Sequence, residues 1–137
     1  MRRVTCSVDG ASRGNPGTAG CGFVIESGGV RLAGKGVSLG ETTNNVAEYF
    51  GLIFGLVECL KLGAREVIVR SDSQLLIRQM RGQYRVKDAW LKRLHATAAA
   101  VAGLFENVVY ECVPREQNRD ADRLAGEAAG TGALFDK

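Results

Sequence analysis

The sequence predicts an α/β domain on a five-stranded mixed sheet, a three-strand antiparallel meander plus two parallel strands, with helices on both faces. Three observations lead there. Three strand-like segments come first, punctuated by glycine-rich turn signals. A long apolar helix pattern follows and stops at Gly63. Strand and helix patterns then alternate, as crossovers between parallel strands do. The length, 137 residues, suits one domain over 1–137, with core enough to need no disulfide or structural metal.

Residues 2–9 alternate, with Val4, Cys6 and Val8 on one face and Thr5, Ser7 and Asp9 on the other, which reads as a half-buried strand. Residues 11–20 are rich in glycine and read as a loop. Residues 20–27 and 30–39 are two strands around Ser27-Gly28-Gly29, a hairpin signal. Asn45 is the expected N-cap of the next helix and Gly63 its stop. The run between them is apolar on nearly every side, so the helix packs on the sheet. A fourth strand over 65–71, a short helix over about 73–81 and the linker 82–87 come next. The alanine-rich segment 88–104 is helical, and 106–113 is the fifth strand. Residues 114–130 run from a loop into a last helix. The core is expected over about 2–129, and the tail 130–137 is expected to be loose.

Strand direction carries the functional argument. If the first strand runs up, the meander brings the third up, the first helix returns down, and the fourth and fifth strands run up again. Asp9 ends the first strand and Asp72 follows the fourth, both at the top. Glu48 and Asp122 lie near the starts of helices that begin at the top. Open α/β sheets bind ligands at this edge. Two carboxylates about 5 Å apart repel by about 3 kcal/mol at an effective dielectric of about 20. Four together call for protons or a cation. An all-oxygen set without Cys or His favours Mg2+ or Mn2+ and suits two-ion phosphoryl transfer, in which one ion activates water and the other stabilises the leaving oxygen. Each acid has a plainer reading too. Glu48 completes a capping box with Asn45, Asp72-Ser73 caps a helix, Asp9-Gly10 makes a turn, and Asp120 or Asp122 faces a helix dipole. Only their joint placement favours a site.

The strings Asp9-Gly10-Ala11-Ser12-Arg13-Gly14-Asn15, Thr42-Thr43-Asn44-Asn45-Val46-Ala47-Glu48, Ser71-Asp72-Ser73-Gln74 and Asn118-Arg119-Asp120-Ala121-Asp122 occur in that order. Together they resemble the ribonuclease H type 1 family over about residues 2–129. The resemblance implies a ribonuclease H-like fold and a metal-dependent endonuclease. Such an enzyme cleaves the RNA strand of RNA–DNA hybrids, leaving 3′-hydroxyl and 5′-phosphate ends. Asp9, Glu48, Asp72 and Asp122 match the metal-binding acids, with two Mg2+ or Mn2+ ions per site and Asp9 between them. Asn15, Asn44, Asn45 and Gln74 match groups facing the minor groove of the hybrid, with Gly10 and Arg13 in the same loop as Asn15. Thr43 matches a contact to a DNA phosphate. A monomer is the family expectation.

Two features depart from the family pattern. The loop before the last acid, 114–118, has no histidine, and Arg115 stands in its place. Arginine cannot act as a base at neutral pH, so a catalytic Arg115 acts on phosphate. The basic insert that many members carry after the short helix is missing. Arg81, Arg85, Lys87, Lys92 and Arg93, interleaved with Tyr84 and Trp90, form either a reduced DNA-contact patch or a solvated face with Trp90 packed inward. Two alternatives stay open: a structure-specific DNA nuclease or resolvase of the same superfamily, and a non-catalytic hybrid-binding module.

Composition sets the outer bounds. With 45% hydrophobic and 24% charged residues, the chain is neither disordered nor a disulfide scaffold. A net charge of +3 permits a nucleic-acid partner without requiring one. Cys6, Cys21, Cys59 and Cys112 form no CxxC pair, and their apolar surroundings predict buried, reduced thiols. His95, the single histidine, is expected to pack or face solvent. No apolar leader or membrane span is apparent, so a cytoplasmic protein without a membrane partner is expected.

Overall fold

The computed structural model describes the backbone of residues 3–135 and the side chains of residues 3–130. β1 (Arg3–Gly14), β2 (Gly17–Ser27) and β3 (Val30–Thr42) form the meander. They are followed by α1 (Asn44–Lys61), β4 (Glu66–Ser71), α2 (Gln74–Met80), α3 (Ala89–Ala102) and β5 (Asn107–Cys112). A single 3-10 turn over Arg115–Gln117 leads into α4 (Arg119–Phe135). The strand order is β3-β2-β1-β4-β5, with β1, β4 and β5 parallel and the meander antiparallel. The mixed sheet and the strand directions match the expectation.

α1 covers one face of β1 and β2 and packs against α3, while α4 covers the other face across β1, β2 and β3. The core on the α1 side joins Val4, Cys6 and Val8 of β1 to Leu52, Ile53 and Leu56 of α1 and to Val67 and Val69 of β4. α4 lies unusually close to the sheet because glycines face it. A Cβ at Gly22 would stand 2.7 Å from the Ala121 carbonyl, and one at Gly36 would stand 2.7 Å from that of Leu124.

That closeness explains one correction. The glycine-rich stretch 11–20 is not a loop: β1 runs on to Gly14 and β2 starts at Gly17, leaving Asn15–Pro16 as the turn, with a cis peptide bond. Of the glycines in this stretch, Gly20 gives α4 room, while Gly14, with φ +106°, stands at the turn. A second correction concerns α1. Its cap is Thr43, whose Oγ accepts from Val46 N at 3.3 Å, two residues before the expected Asn45. Gly63, with φ +82°, follows the end of that helix as expected. A third concerns Cys112, which ends β5 in an exposed position, whereas Cys6, Cys21 and Cys59 are buried. The tail, expected to be loose from residue 130, continues α4 to Phe135, and residues 136–137 lie outside the described residues. Among the described residues no helix is long and apolar enough to cross a membrane.

Candidate active site

Four elements deliver the acids to one cleft of about 380 Å3, lined by Asp9, Gly10, Ala11, Ser12, Asn44, Glu48, Asp72, Ser73, Arg115 and Asp122. Asp9 lies in β1 just past the last residue paired with β4, Ser7. It is 4% exposed. Glu48, 6% exposed, comes from α1, Asp72 follows β4, and Asp122 sits in the first turn of α4.

Two of the plainer readings do not hold, and a third, the Asp72-Ser73 cap, holds through the serine and not the acid. Asp9-Gly10 is strand, not turn. Ser73, not Asp72, caps α2, its Oγ accepting from Leu76 N at 3.2 Å. With Thr43 as the cap, Glu48 lies past the reach of a capping box, and its Oε2 instead accepts from Gly10 N at 3.1 Å. Only Asp120 and Asp122 keep their first-turn positions.

Gly10 shows how tightly α1 is seated. A Cβ there would run into the backbone of Ala47 and Glu48, so only glycine lets its amide reach the Glu48 carboxylate. Across the same contact, a Cβ at Gly51 would meet the Asp9 carbonyl at 2.6 Å.

The acids repel one another. Burial, the Glu48 charge, a hydrogen bond with Asp122 and the Asp72 charge push the Asp9 carboxyl up to about 9. Burial and Asp72 push Glu48 up to about 8, against the lowering effect of hydrogen bonds from Gly10, Asp9 and Asn44. Arg115 faces the cluster, with Nη2 at 3.4 Å from Asp122 Oδ2.

Among the described residues no three His, Cys, Asp or Glu side chains stand as a group that could hold an ion as placed. The donor set nevertheless fits a hard divalent cation: it is all oxygen, and four carboxylates share the cleft with a single arginine. Arg115 engages one of the two Asp122 carboxylate oxygens, Oδ2.

The other expected residues lie at graded distances from this centre. Asn44 lines the cleft, and its backbone N–H donates to Asn15 Oδ1 at 3.0 Å, which ties the β1–β2 turn to the start of α1. Asn45 lies beside Glu48, Tyr49 and Gln79 in a small neighbouring recess. Thr43 caps α1. Gln74 opens onto a separate hollow of about 420 Å3 with Arg78, Arg81 and Tyr84. The exposed Arg13 reaches toward Gly130 of α4 and does not line the cleft. In the basic stretch, Tyr84 and Trp90 are half-exposed, so Trp90 does not pack inward. His95 is a packing residue: its ring meets Tyr49 edge-on and its Nε2 lies 3.1 Å from the Gln79 carbonyl.

Sequence reasoning gave no role to Asn118. It is 2% exposed and its Nδ2 donates to the Val8 carbonyl at 2.9 Å. A lone asparagine before a helix reads as a cap, so only burial could have singled it out.

A five-stranded mixed sheet in the order β3-β2-β1-β4-β5, with acids gathered beside its central strands, is a ribonuclease H-like α/β fold, which known proteins share. The family model described as reverse transcriptase-like matches residues 7–128. The bifunctional protein Rv2228c of Mycobacterium tuberculosis is 46% identical over 133 residues, 96% of this chain and 36% of that protein. The ribonuclease HI of Halobacterium salinarum is 41% identical over 127 residues, 92% of this chain and 64% of that protein. The chain thus spans about a third of the length of its mycobacterial relatives.

Among solved structures, the N-terminal ribonuclease H domain of the M. tuberculosis protein superposes with TM-score 0.96 at 44% identity, each chain covered in full. LC11 ribonuclease H1, solved in complex with an RNA/DNA hybrid, gives TM-score 0.90 at 41% identity, covering 95% of this chain and 99% of the other. The chain belongs to the ribonuclease H type 1 family of hydrolases.

Proposed function

We propose that this domain is an endoribonuclease that cuts the RNA strand of RNA–DNA hybrids with the help of two divalent ions, Mg2+ or Mn2+. One observation carries the reading: Asp9, Glu48, Asp72 and Asp122, from four separate elements, line one open cleft. The likeness to a ribonuclease H1 solved with an RNA/DNA hybrid supports the substrate class.

Asp9, Glu48, Asp72 and Asp122 would hold the ions. When bound, these supply an activated water and stabilise the leaving oxygen, which yields 3′-hydroxyl and 5′-phosphate ends. The chain's own groups do the rest. Gly10 N–H holds the Glu48 carboxylate in place through its 3.1 Å hydrogen bond. Asn44, in the cleft, and Asn15, bonded to its backbone, offer amides to a sugar edge. Amides at a minor-groove edge accept any sequence and can engage a 2′-hydroxyl. Arg115 lines the same cleft, and as a permanent cation it neutralises phosphate rather than moving a proton. Thr43 and Gln74 extend the contact surface beyond the acids. The domain acts as a monomer in the cytoplasm.

The test is digestion of end-labelled RNA–DNA hybrid, single-stranded RNA and duplex DNA by pure folded protein, with Mg2+, Mn2+ or chelator. Metal-dependent cutting of hybrid RNA, lost in Asp9→Asn and in Asp72→Asn, is expected. Failure to cut hybrid with either metal rejects the reading, and equal cutting of duplex DNA points to the nuclease or resolvase alternative. Hybrid binding without cleavage points to a binding module.

A further inference from the structure

Asn118 is 2% exposed although it stands in the connection between the 3-10 turn and α4, where Gln117 and Arg119 on either side are exposed. Its side chain reaches back to β1, where Nδ2 donates to the Val8 carbonyl at 2.9 Å. Val8 directly precedes Asp9, and it lies one residue beyond the last β1–β4 pairing, Ser7–Arg70. The backbone of Asn118 starts α4, its carbonyl accepting from Asp122 N at 3.0 Å. A single residue therefore links the strand of one acid to the helical turn of another.

Stability accounts for the donor of this side chain but not for its acceptor. Among the described residues its Oδ1 is buried without a hydrogen-bond partner, and a buried unsatisfied acceptor is unfavourable. An apolar side chain would avoid that cost. It would also leave the Val8 carbonyl without its donor and free the start of α4 to shift against β1.

We propose that Asn118 is a positioning residue, an amide clamp that sets the separation of Asp122 from Asp9 before any ion or substrate arrives. The consequence for cleavage rests on the ribonuclease reading; the clamp itself is a property of the metal-free protein.

The test compares the parent with Asn118→Ala and with Asn118→Asp, which keeps the shape but loses the donor at neutral pH. The control is Leu94→Ala, which alters the buried face of α3. In hydrogen exchange of metal-free protein, the Asp122 N–H should exchange about tenfold faster or more in both Asn118 variants, with later turns of α4 unchanged. Unchanged protection at Asp122 overturns the proposal. In a Mn2+ titration the Asn118 variants should bind about 10- to 100-fold more weakly, and Leu94→Ala within about twofold of the parent. Equal losses in all variants, or parental affinity in a folded Asn118→Ala, also overturn it. On hybrid, kcat should fall with KM little changed. A parent that binds Mn2+ yet cuts no hybrid defeats the ribonuclease reading, while the exchange rates still decide the clamp.

Discussion

Arg115 lies 3.4 Å from an Asp122 oxygen, so a guanidinium and a divalent cation held by Asp122 would draw on the same carboxylate. The pair is largely exposed, and such pairs contribute at most about 1 kcal/mol. Arg115→Ala should therefore tighten Mn2+ binding by about two- to fivefold, as isothermal titration would read. The same variant should cut hybrid more slowly, because the cation that faces phosphate is gone. Looser Mn2+ binding in Arg115→Ala would mean that the arginine orders Asp122 rather than competing for it. Gly10 marks the opposite extreme, a position with no latitude. Gly10→Ala forces a methyl group into the backbone of α1 and shifts Glu48 away from its amide. A loss of about 1–3 kcal/mol in urea unfolding, together with loss of cleavage, is the expected outcome. A variant of parental stability would mean that α1 can retreat freely.

At the scale of elements, α1 depends on its first turn. Thr43→Ala removes the acceptor for Val46 N and should cost about 1 kcal/mol in urea unfolding, while Thr43→Ser should restore it. If Thr43 also meets a phosphate, Thr43→Ala raises KM for hybrid as well. A variant with unchanged stability would deny the cap. The cap also shows where sequence reading fell short. Thr43, Asn44 and Asn45 are all acceptable caps by residue type, and only the backbone, extended at Thr43 and helical from Asn44, decides among them. Gly14, Gly17 and Gly20 raised the same difficulty. They signal a loop by composition, yet they lie in β1 and β2, and Gly20 and Gly22 leave room for α4. Strand direction was easier to read, because turn lengths and crossovers constrain it. Once the directions were known, the convergence of Asp9, Glu48, Asp72 and Asp122 followed. The Arg115–Asp122 pair and the Asn118 clamp did not, since both depend on side-chain reach and burial that spacing does not encode.

The whole molecule feels the acid cluster through proton linkage. In the folded chain Asp9 is raised from 3.8 to about 9 and Glu48 from 4.5 to about 8, chiefly by burial and then by the Glu48 charge on Asp9 and the Asp72 charge on Glu48. The folded state therefore keeps protons that the unfolded chain has already released. A carboxyl raised in this way lends stability that is complete below its unfolded value and fades as pH climbs through the folded value. For this pair the decline spans from about pH 4 to about pH 9. Metal-free protein should accordingly melt at progressively lower temperature as pH rises from 5 to 9. A divalent cation takes the place of the protons and binds best where they have left, so binding stabilises the fold more at high pH than at low. Thermal scans with Mg2+ or with chelator should show a gap that is small at pH 5 and widens toward pH 9. In a protein carrying both Asp9→Asn and Glu48→Gln the metal-free slope should flatten and the gap should close. A melting temperature that is constant or rising across this range without metal would mean that the two carboxyls are already ionised in the folded state, and the cluster would then lack the strain that makes a cation its natural partner.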